Sequence, residues 1–281
     1  MREGDTAMLS APAAQPGVWA NAGSGLVQFI GDTLTIAEAD WRKLRHDPVE
    51  LLVRAVQPAL WLVVFGQVFG SIRGIPTGAI SYRDFLTPGV LAQSGLFVAI
   101  FYGISAIWER DLGVLQKYMA SPVSRVSLVL GKGLSAGVRG VSQGVIVFVL
   151  SILLRVDLRY EPGAMLGVLV AVVLASAVCA TLSLIVSCLV KTRERMMGIG
   201  QVLTMPLFFA SNAIYPVDLM PGWLRVISAI NPLTYQVDAL RALMIQGGTS
   251  VHGLGIDFAV LAGFLALFVA IGSRLYPKLV A

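Results

Sequence analysis

Apolar runs separated by short polar stretches set the pattern of this chain. Six runs stand out, near 51–71, 85–108, 126–154, 163–190, 197–215 and 257–275. Each approaches the roughly 20 residues that a helix needs to cross about 30 Å of hydrocarbon. In lipid the backbone must satisfy its own hydrogen bonds, and these runs lack the period-two alternation of barrel strands. The pattern therefore predicts an all-α integral membrane fold with about six transmembrane helices.

Three further segments are mixed rather than uniformly apolar. Residues 32–46 (DTLTIAEADWRKLRH) place Leu34, Ala37, Trp41 and Leu44 at helical spacing, with Glu38, Arg42, Lys43 and Arg45 charged around them. Asp32 suits the N-cap, and Asp47-Pro48 ends the pattern. This predicts a helix lying in the membrane interface, anchored by Trp41. Residues 1–31, which carry no continuous apolar signal-peptide core, read as a flexible cytoplasmic tail.

The stretch 109–125 (ERDLGVLQKYMASPVSR) sets Leu112, Leu115 and Met119 on one stripe, with Glu109, Arg110, Asp111 and Lys117 beside it. Pro122 closes it. Such a helix suits a groove in a protein partner. It equally suits a place on the lipid headgroups, and the stripe does not choose between them. Residues 216–256 are too apolar for a free loop and too interrupted to span, with Pro216, Pro221 and Asn231-Pro232 as breaks. Asn231 fits an N-cap and Pro232 the first helical position. Two short helices dipping into the outer leaflet and a surface hairpin both fit. Asp238 and Arg241, three apart on a helix, are placed to pair.

Composition agrees with the pattern. Of 281 residues, 56% are hydrophobic and 13% charged, with a mean hydropathy of +0.78. Soluble domains carry about 25% charged residues, so a soluble globule is excluded. The net charge of +5 is too small to call for nucleic acid, and membrane lipid is the expected partner of the basic residues. Arg2, Arg42, Lys43 and Arg45 precede the first run, and Arg54 lies at its start. Arg110, Lys117, Arg125 and Lys132, then Lys191, Arg193 and Arg195, then Arg274 and Lys278 fall on the same side of the expected topology. Arg73, Arg83, Arg155, Arg159, Arg225 and Arg241 fall on the other. The excess predicts a multi-pass protein of the cell membrane with both termini cytoplasmic. Cys179 and Cys188 share one apolar run and read as small helix-packing residues.

Catalytic and cofactor motifs are missing from the sequence. There is no GxxxxGK[ST] phosphate loop, no HExxH and no cysteine cluster. His46 and His252 are expected on opposite sides of the membrane. The spans hold few ionisable groups; Arg139 and Lys132 sit near the cytoplasmic side, within snorkelling reach. The chain is thus expected to be no enzyme and to hold no cofactor. Uphill transport would draw its energy from another subunit.

Four stretches in order resemble the ABC-2 type permeases, in the branch of daunorubicin-resistance permeases and nodulation-factor exporters. They are Pro58 with LWLVVFGQVFG (60–70), DFLTPGVLAQSGLF (84–97), ERDLGVLQKYMASPVSR (109–125) and NPLTYQVDALRALM (231–244). The likeness runs from about 32 to 275, making 32–281 one transmembrane domain. It implies an exporter subunit that moves a drug, lipid, glycolipid or polysaccharide. ATP and Mg would be bound by a separate nucleotide-binding ATPase subunit, beside a second permease. On this resemblance 109–121 is the coupling helix, with Glu109, Arg110, Leu112, Leu115, Tyr118 and Met119 docking the ATPase. The interfacial helix 32–46 would touch the same subunit. The segment 216–245 would be an outer re-entrant pair closing the exit. Val114-Leu115-Gln116 departs from the family's common Thr-Leu-Glu, which puts a charge contact to the partner in doubt. Phe65, Phe69, Phe97, Phe101, Tyr102, Phe208, Phe209 and Tyr215 are candidates to line the path, or simply helix packing. A stand-alone channel or secondary carrier is the alternative, and a membrane-anchored assembly factor a third reading.

Overall fold

The computed structural model describes residues 48–71, 80–113, 115, 125–190 and 192–280. The expected tail 1–31, the interfacial helix 32–46 with Glu38, Trp41, Arg42 and Arg45, and the positions Tyr118 and Met119 lie outside the described residues. Among those described, the chain is helical apart from turns and one isolated antiparallel bridge, Leu158 with Ile245.

Helix α1 (Pro48–Leu60) passes through a π-helical turn, Trp61–Phe65, into α2 (Gly66–Ser71). Pro58 inside α1 removes one ladder hydrogen bond, and the loosened turn follows it. Helix α3 (Tyr82–Asp111) opens on a capping box. Ser81 Oγ accepts the Asp84 N–H at 3.2 Å, and Asp84 Oδ2 accepts the Ser81 N–H at 3.3 Å. Helices α4 (Arg125–Leu153), α5 (Pro162–Leu189) and α6 (Arg193–Phe209) follow, then the 3₁₀ turn Val217–Leu219. Helices α7 (Gly222–Ala229), α8 (Pro232–Met244) and α9 (Leu254–Val280) complete the fold.

Helix α5 is the hub, with α3, α4, α8 and α9 packed around it. Its buried face is built of small residues, among them Ala171, Ala175, Ser176, Ala180, Thr181 and Ser183. Opposite them α4 offers Gly133, Gly137 and Gly140, at i, i+4 and i+7 along one face. Without a hydrophobic drive between helices in lipid, this close approach supplies the attraction. Large apolar side chains point outward instead, including Val145, Leu166, Val202 and Leu267. Both cysteines are free and buried.

Among the described residues, four helices are long and apolar enough to cross a membrane: α3, α4, α5 and α9 over Leu254–Pro277. The first anticipated span appears as the shorter apolar helix Ala55–Gly70. The fifth ends at Phe209 rather than near 215, because the chain turns at Ala210–Asn212. Ser211 Oγ accepts the Ala213 N–H at 3.3 Å within that turn. The turn is buried although Ser211 and Asn212 within it are polar.

The α4–α5 connection folds back on the end of α8. Arg159 N–H donates to Met244 O at 2.8 Å and Gln246 N–H to Asp157 O at 2.9 Å. Asp84 Oδ1 accepts the Asp157 N–H at 3.3 Å, and Arg83 Nη1 donates to Leu154 O at 2.9 Å. The first turn of α3 thereby holds this connection in place.

Two outcomes follow from these contacts. A Cβ on Gly89 would lie 2.8 Å from the Ala213 Cα, against backbone that cannot swing away. Gly89→Val is expected to cost about 1–3 kcal/mol, read as a lower unfolding temperature in detergent. Gly198→Ala, with open space around it, should leave that temperature unchanged. Asp84→Ala is expected to cost about 1–2 kcal/mol and to speed amide exchange at Asp157. Unaltered exchange there would show that the connection does not depend on this carboxylate.

Candidate functional site

Polar side chains gather at the two ends of the bundle, and α3 joins them. At one end α3 stops in a left-handed cap. Leu112 N–H donates to Trp108 O and Gly113 N–H to Arg110 O, both at 2.9 Å, with Gly113 at φ 70°. This corrects the expectation of one helix over 109–121, since Glu109 and Arg110 form the last turn of α3. The anticipated stripe is divided as well. Leu112 is 69% exposed, whereas Leu115 is fully buried in a cluster with Ala106, Val129, Leu184 and Tyr276. The glycine between them redirects the chain.

Around this cap three helices are tied together. Asp111 bonds Arg110 at 3.0 Å and Arg193, in the first turn of α6, at 2.7 Å. The Arg193 guanidinium also lies 3.6 Å over the Trp108 ring. Lys132 of α4 donates to the Glu109 carboxylate, so it is paired rather than left to snorkel. These groups are partly exposed, so solvent screens the attraction within each pair. Their main effect is geometric: the end of α3 is held against α4 and α6. The result is a charged rim with Leu112 projecting from it.

At the opposite end the segment after α6 forms the two short helices anticipated from its breaks. Pro216 leads into the 3₁₀ turn, which Arg225 braces through Asp218 O at 2.6 Å and Met220 O at 3.0 Å. Helix α7 exposes Trp223, Val226 and Ile230. Asn231 caps α8, accepting the Leu233 N–H at 3.0 Å, and its Nδ2 donates to Leu207 O at 2.7 Å. Pro232 takes the first helical position, and α8 is buried along most of its length.

Asp238 and Arg241 are both buried in α8, but their hydrogen bonds go elsewhere. Arg241 donates to Asn212 O at 2.7 Å and lies 3.9 Å over the Phe85 ring. Asp238 Oδ2 accepts the Val251 and His252 N–H groups at 2.8 and 3.1 Å. The expected intrahelical pair is replaced because each side chain meets a different neighbouring turn. Asp257, in the first turn of α9, completes a buried acidic group beside Asp238.

The aromatic candidates pack within the chain. Trp61, Phe65, Phe69, Tyr82 and Phe85 form a continuous ladder from α1 to α3, with centroid separations of 4.3, 5.7, 5.7 and 6.3 Å. Phe208 is fully buried against Trp61 at 5.3 Å, and Phe97 stacks near Phe101 at 4.9 Å. Phe209 is half-exposed, and the Tyr215 hydroxyl donates to its carbonyl. Arg139 lies 4.9 Å over Tyr102. An apolar groove of about 270 Å³ runs between α4 and α5, lined by Val141, Val145, Phe148, Leu169 and Val172 among others.

Several of these residues were not singled out from the sequence. The Ser81-x-x-Asp84 capping box had a readable spacing. Trp108, Arg193, Ser250, His252 and Asp257 gain their roles from partners on other elements, which no local spacing marks.

Residues 32–245 match the family described as ABC-2 type transporter. The chain is 27% identical over 261 residues to a putative transport permease, ycf38, of Cyanophora paradoxa, covering 89% of each chain. It is 29% identical to the daunorubicin resistance ABC transporter permease protein DrrB1 of Streptomyces coeruleorubidus, covering 84% of this chain and 83% of that one. Nodulation protein J of Rhizobium meliloti (strain 1021) is 27% identical, with 84% and 90% covered. A match over most of its length, on a bundle of membrane-length helices, means that this chain belongs to the ABC-2 type transporter family.

Proposed function

We propose that this permease is the membrane subunit of an exporter driven by ATP that a separate subunit hydrolyses. The observation that carries the reading is the rim at Trp108–Leu112. A helix end tied to α4 through Glu109–Lys132 and to α6 through Asp111–Arg193 passes a push on to both helices. Leu112 offers that surface an apolar contact at its centre. Helix α3, with 30 residues, is about 45 Å long. It carries displacement at this rim to the Asp84 end, where it grips the α4–α5 connection and, through Phe85, Arg241 of α8.

In this reading the rim faces the cytoplasm, both termini are cytoplasmic, and α7–α8 close the exit on the far side. ATP and Mg are held by the partner ATPase. Two permease subunits flank the path, and this chain performs no catalysis. The domain is taken as 32–281. The surface that docks the ATPase is Leu112 with Glu109 and Arg110, joined by the stretch that contains Tyr118 and Met119. Leu115 supports it from within.

The cargo is an amphipathic or lipid-like molecule. The apolar groove between α4 and α5 and the exposed apolar faces favour such a cargo over a strongly charged one. The Streptomyces relative, named for daunorubicin resistance, agrees with that class.

The test is Leu112→Asp, co-expressed with the partner ATPase, to be sought as a Walker-type protein in a neighbouring reading frame. The expected outcome is a chain that still inserts and elutes normally but no longer co-purifies with the ATPase, together with loss of transport. Co-purification and transport at wild-type levels would overturn the reading. Solute movement by the purified chain alone, in liposomes without ATP, would favour a stand-alone channel or carrier instead.

A further inference from the structure

The buried group formed by Asp238, Ser250, His252 and Asp257 has no task in the transport reading. Asp238 lies midway along α8 and Asp257 in the first turn of α9, and both are fully buried. Ser250 Oγ lies 2.7 Å from Asp257 Oδ2 and 3.2 Å from Asp238 Oδ2. A hydroxyl carries one proton, so it can donate to only one of them at a time. His252 Nδ1 lies 3.0 Å from Asp238 Oδ2.

The second oxygen of each carboxylate is the informative one. Asp238 Oδ1 and Asp257 Oδ1 are sealed from solvent and have no hydrogen-bond partner. Each shares a carbon with an Oδ2 that contacts Ser250. One donor atom from each of Asp238, His252 and Asp257 falls within 4.8 Å of the others.

Two carboxylates buried side by side carry a desolvation cost that hydrogen bonds to their Oδ2 atoms alone do not offset. Arg241, on the same helix, spends its guanidinium on Asn212 and Phe85. His252 contacts the Asp238 carboxylate, and its side chain is one-third exposed. A divalent cation would neutralise both carboxylates and give each orphaned oxygen a ligand bond. Carboxylates with one imidazole suit Mn²⁺ or Zn²⁺ rather than the thiolate-seeking Cu⁺. The exposed edge of His252 supplies the entry path.

We propose that Asp238, His252 and Asp257 form a binding site for a divalent transition-metal cation, clamping α8 to the start of α9. The bound cation pins the connection 245–253 between these helices. Its effect on export rests on the permease reading, whereas binding itself does not.

The test uses the full chain in detergent, purified without a polyhistidine tag, stripped with EDTA and re-equilibrated with MnCl₂ or ZnCl₂. Elemental analysis after desalting should find about one metal per chain, with a higher unfolding temperature than the stripped protein. Asp257→Asn and His252→Gln should each weaken binding about tenfold or more. Both should elute, and unfold without metal, as the unaltered chain does. Asp238→Asn is avoided because that carboxylate also holds two backbone amides. Absence of stoichiometric metal overturns the proposal. Metal retained by a chain carrying both Asp257→Asn and His252→Gln overturns it too, as an adventitious ion only. Stabilisation by mild acid without metal uptake would assign a shared proton to the carboxylates and likewise reject the site.

Discussion

The close approach of α5 to its neighbours is the constraint on which the rest depends. Gly140 faces Ser176, Gly133 faces Thr181 and Gly103 faces Ser183, each too near to admit another carbon. At such distances backbone meets backbone, and dispersion and weak polar contacts replace the hydrophobic drive that lipid does not supply. The Ser183 hydroxyl donates across the gap to Ile100 O. Larger residues along this seam would push α3 and α4 outward and break the alignment of both polar ends.

Polar groups on the spans are handled so that this seam stays tight. Ser94, Ser151, Thr181 and Thr204 each donate to the carbonyl four residues earlier, at 2.7–2.8 Å. Bonded to their own helix, these hydroxyls carry no unsatisfied donor into the apolar interior. They stay small enough to sit between helices. The charged clusters Glu109–Lys132 with Asp111–Arg193, and Asp238–His252 with Asp257, lie at the ends of the bundle.

Those ends are built on different principles. The Trp108–Leu112 rim is held by partly exposed ion pairs and a cation–π contact, which solvent screens and which can rearrange at small cost. The Asp84 end is held by buried hydrogen bonds among the α3 cap, the α4–α5 connection, α8 and the first turn of α9. One end is exposed to solvent, and the other ties several segments together. Helix α3 belongs to both, so neither end can move independently of it.

Much was legible in the sequence. Apolar length alone predicts α3, α4, α5 and α9, because satisfying the backbone in lipid leaves helices as the form for such runs. Asn231-Pro232 marks the start of α8, since a cap and a proline at the first turn are local signals. Three things were decided by tertiary structure. The fifth run ends early because the chain turns at Ala210–Asn212, and the apolar residues on either side of that buried turn mask it in the sequence. Leu112 and Leu115 part company because Gly113 adopts a positive φ, which spacing does not reveal. Asp238 abandons Arg241 for the 250–252 turn because the better donors come from elsewhere in the chain. By itself the sequence determined which segments are helices in a membrane. Only the packing of α8 between α3, α5 and α9 decided which charges meet, because those contacts join residues far apart along the chain.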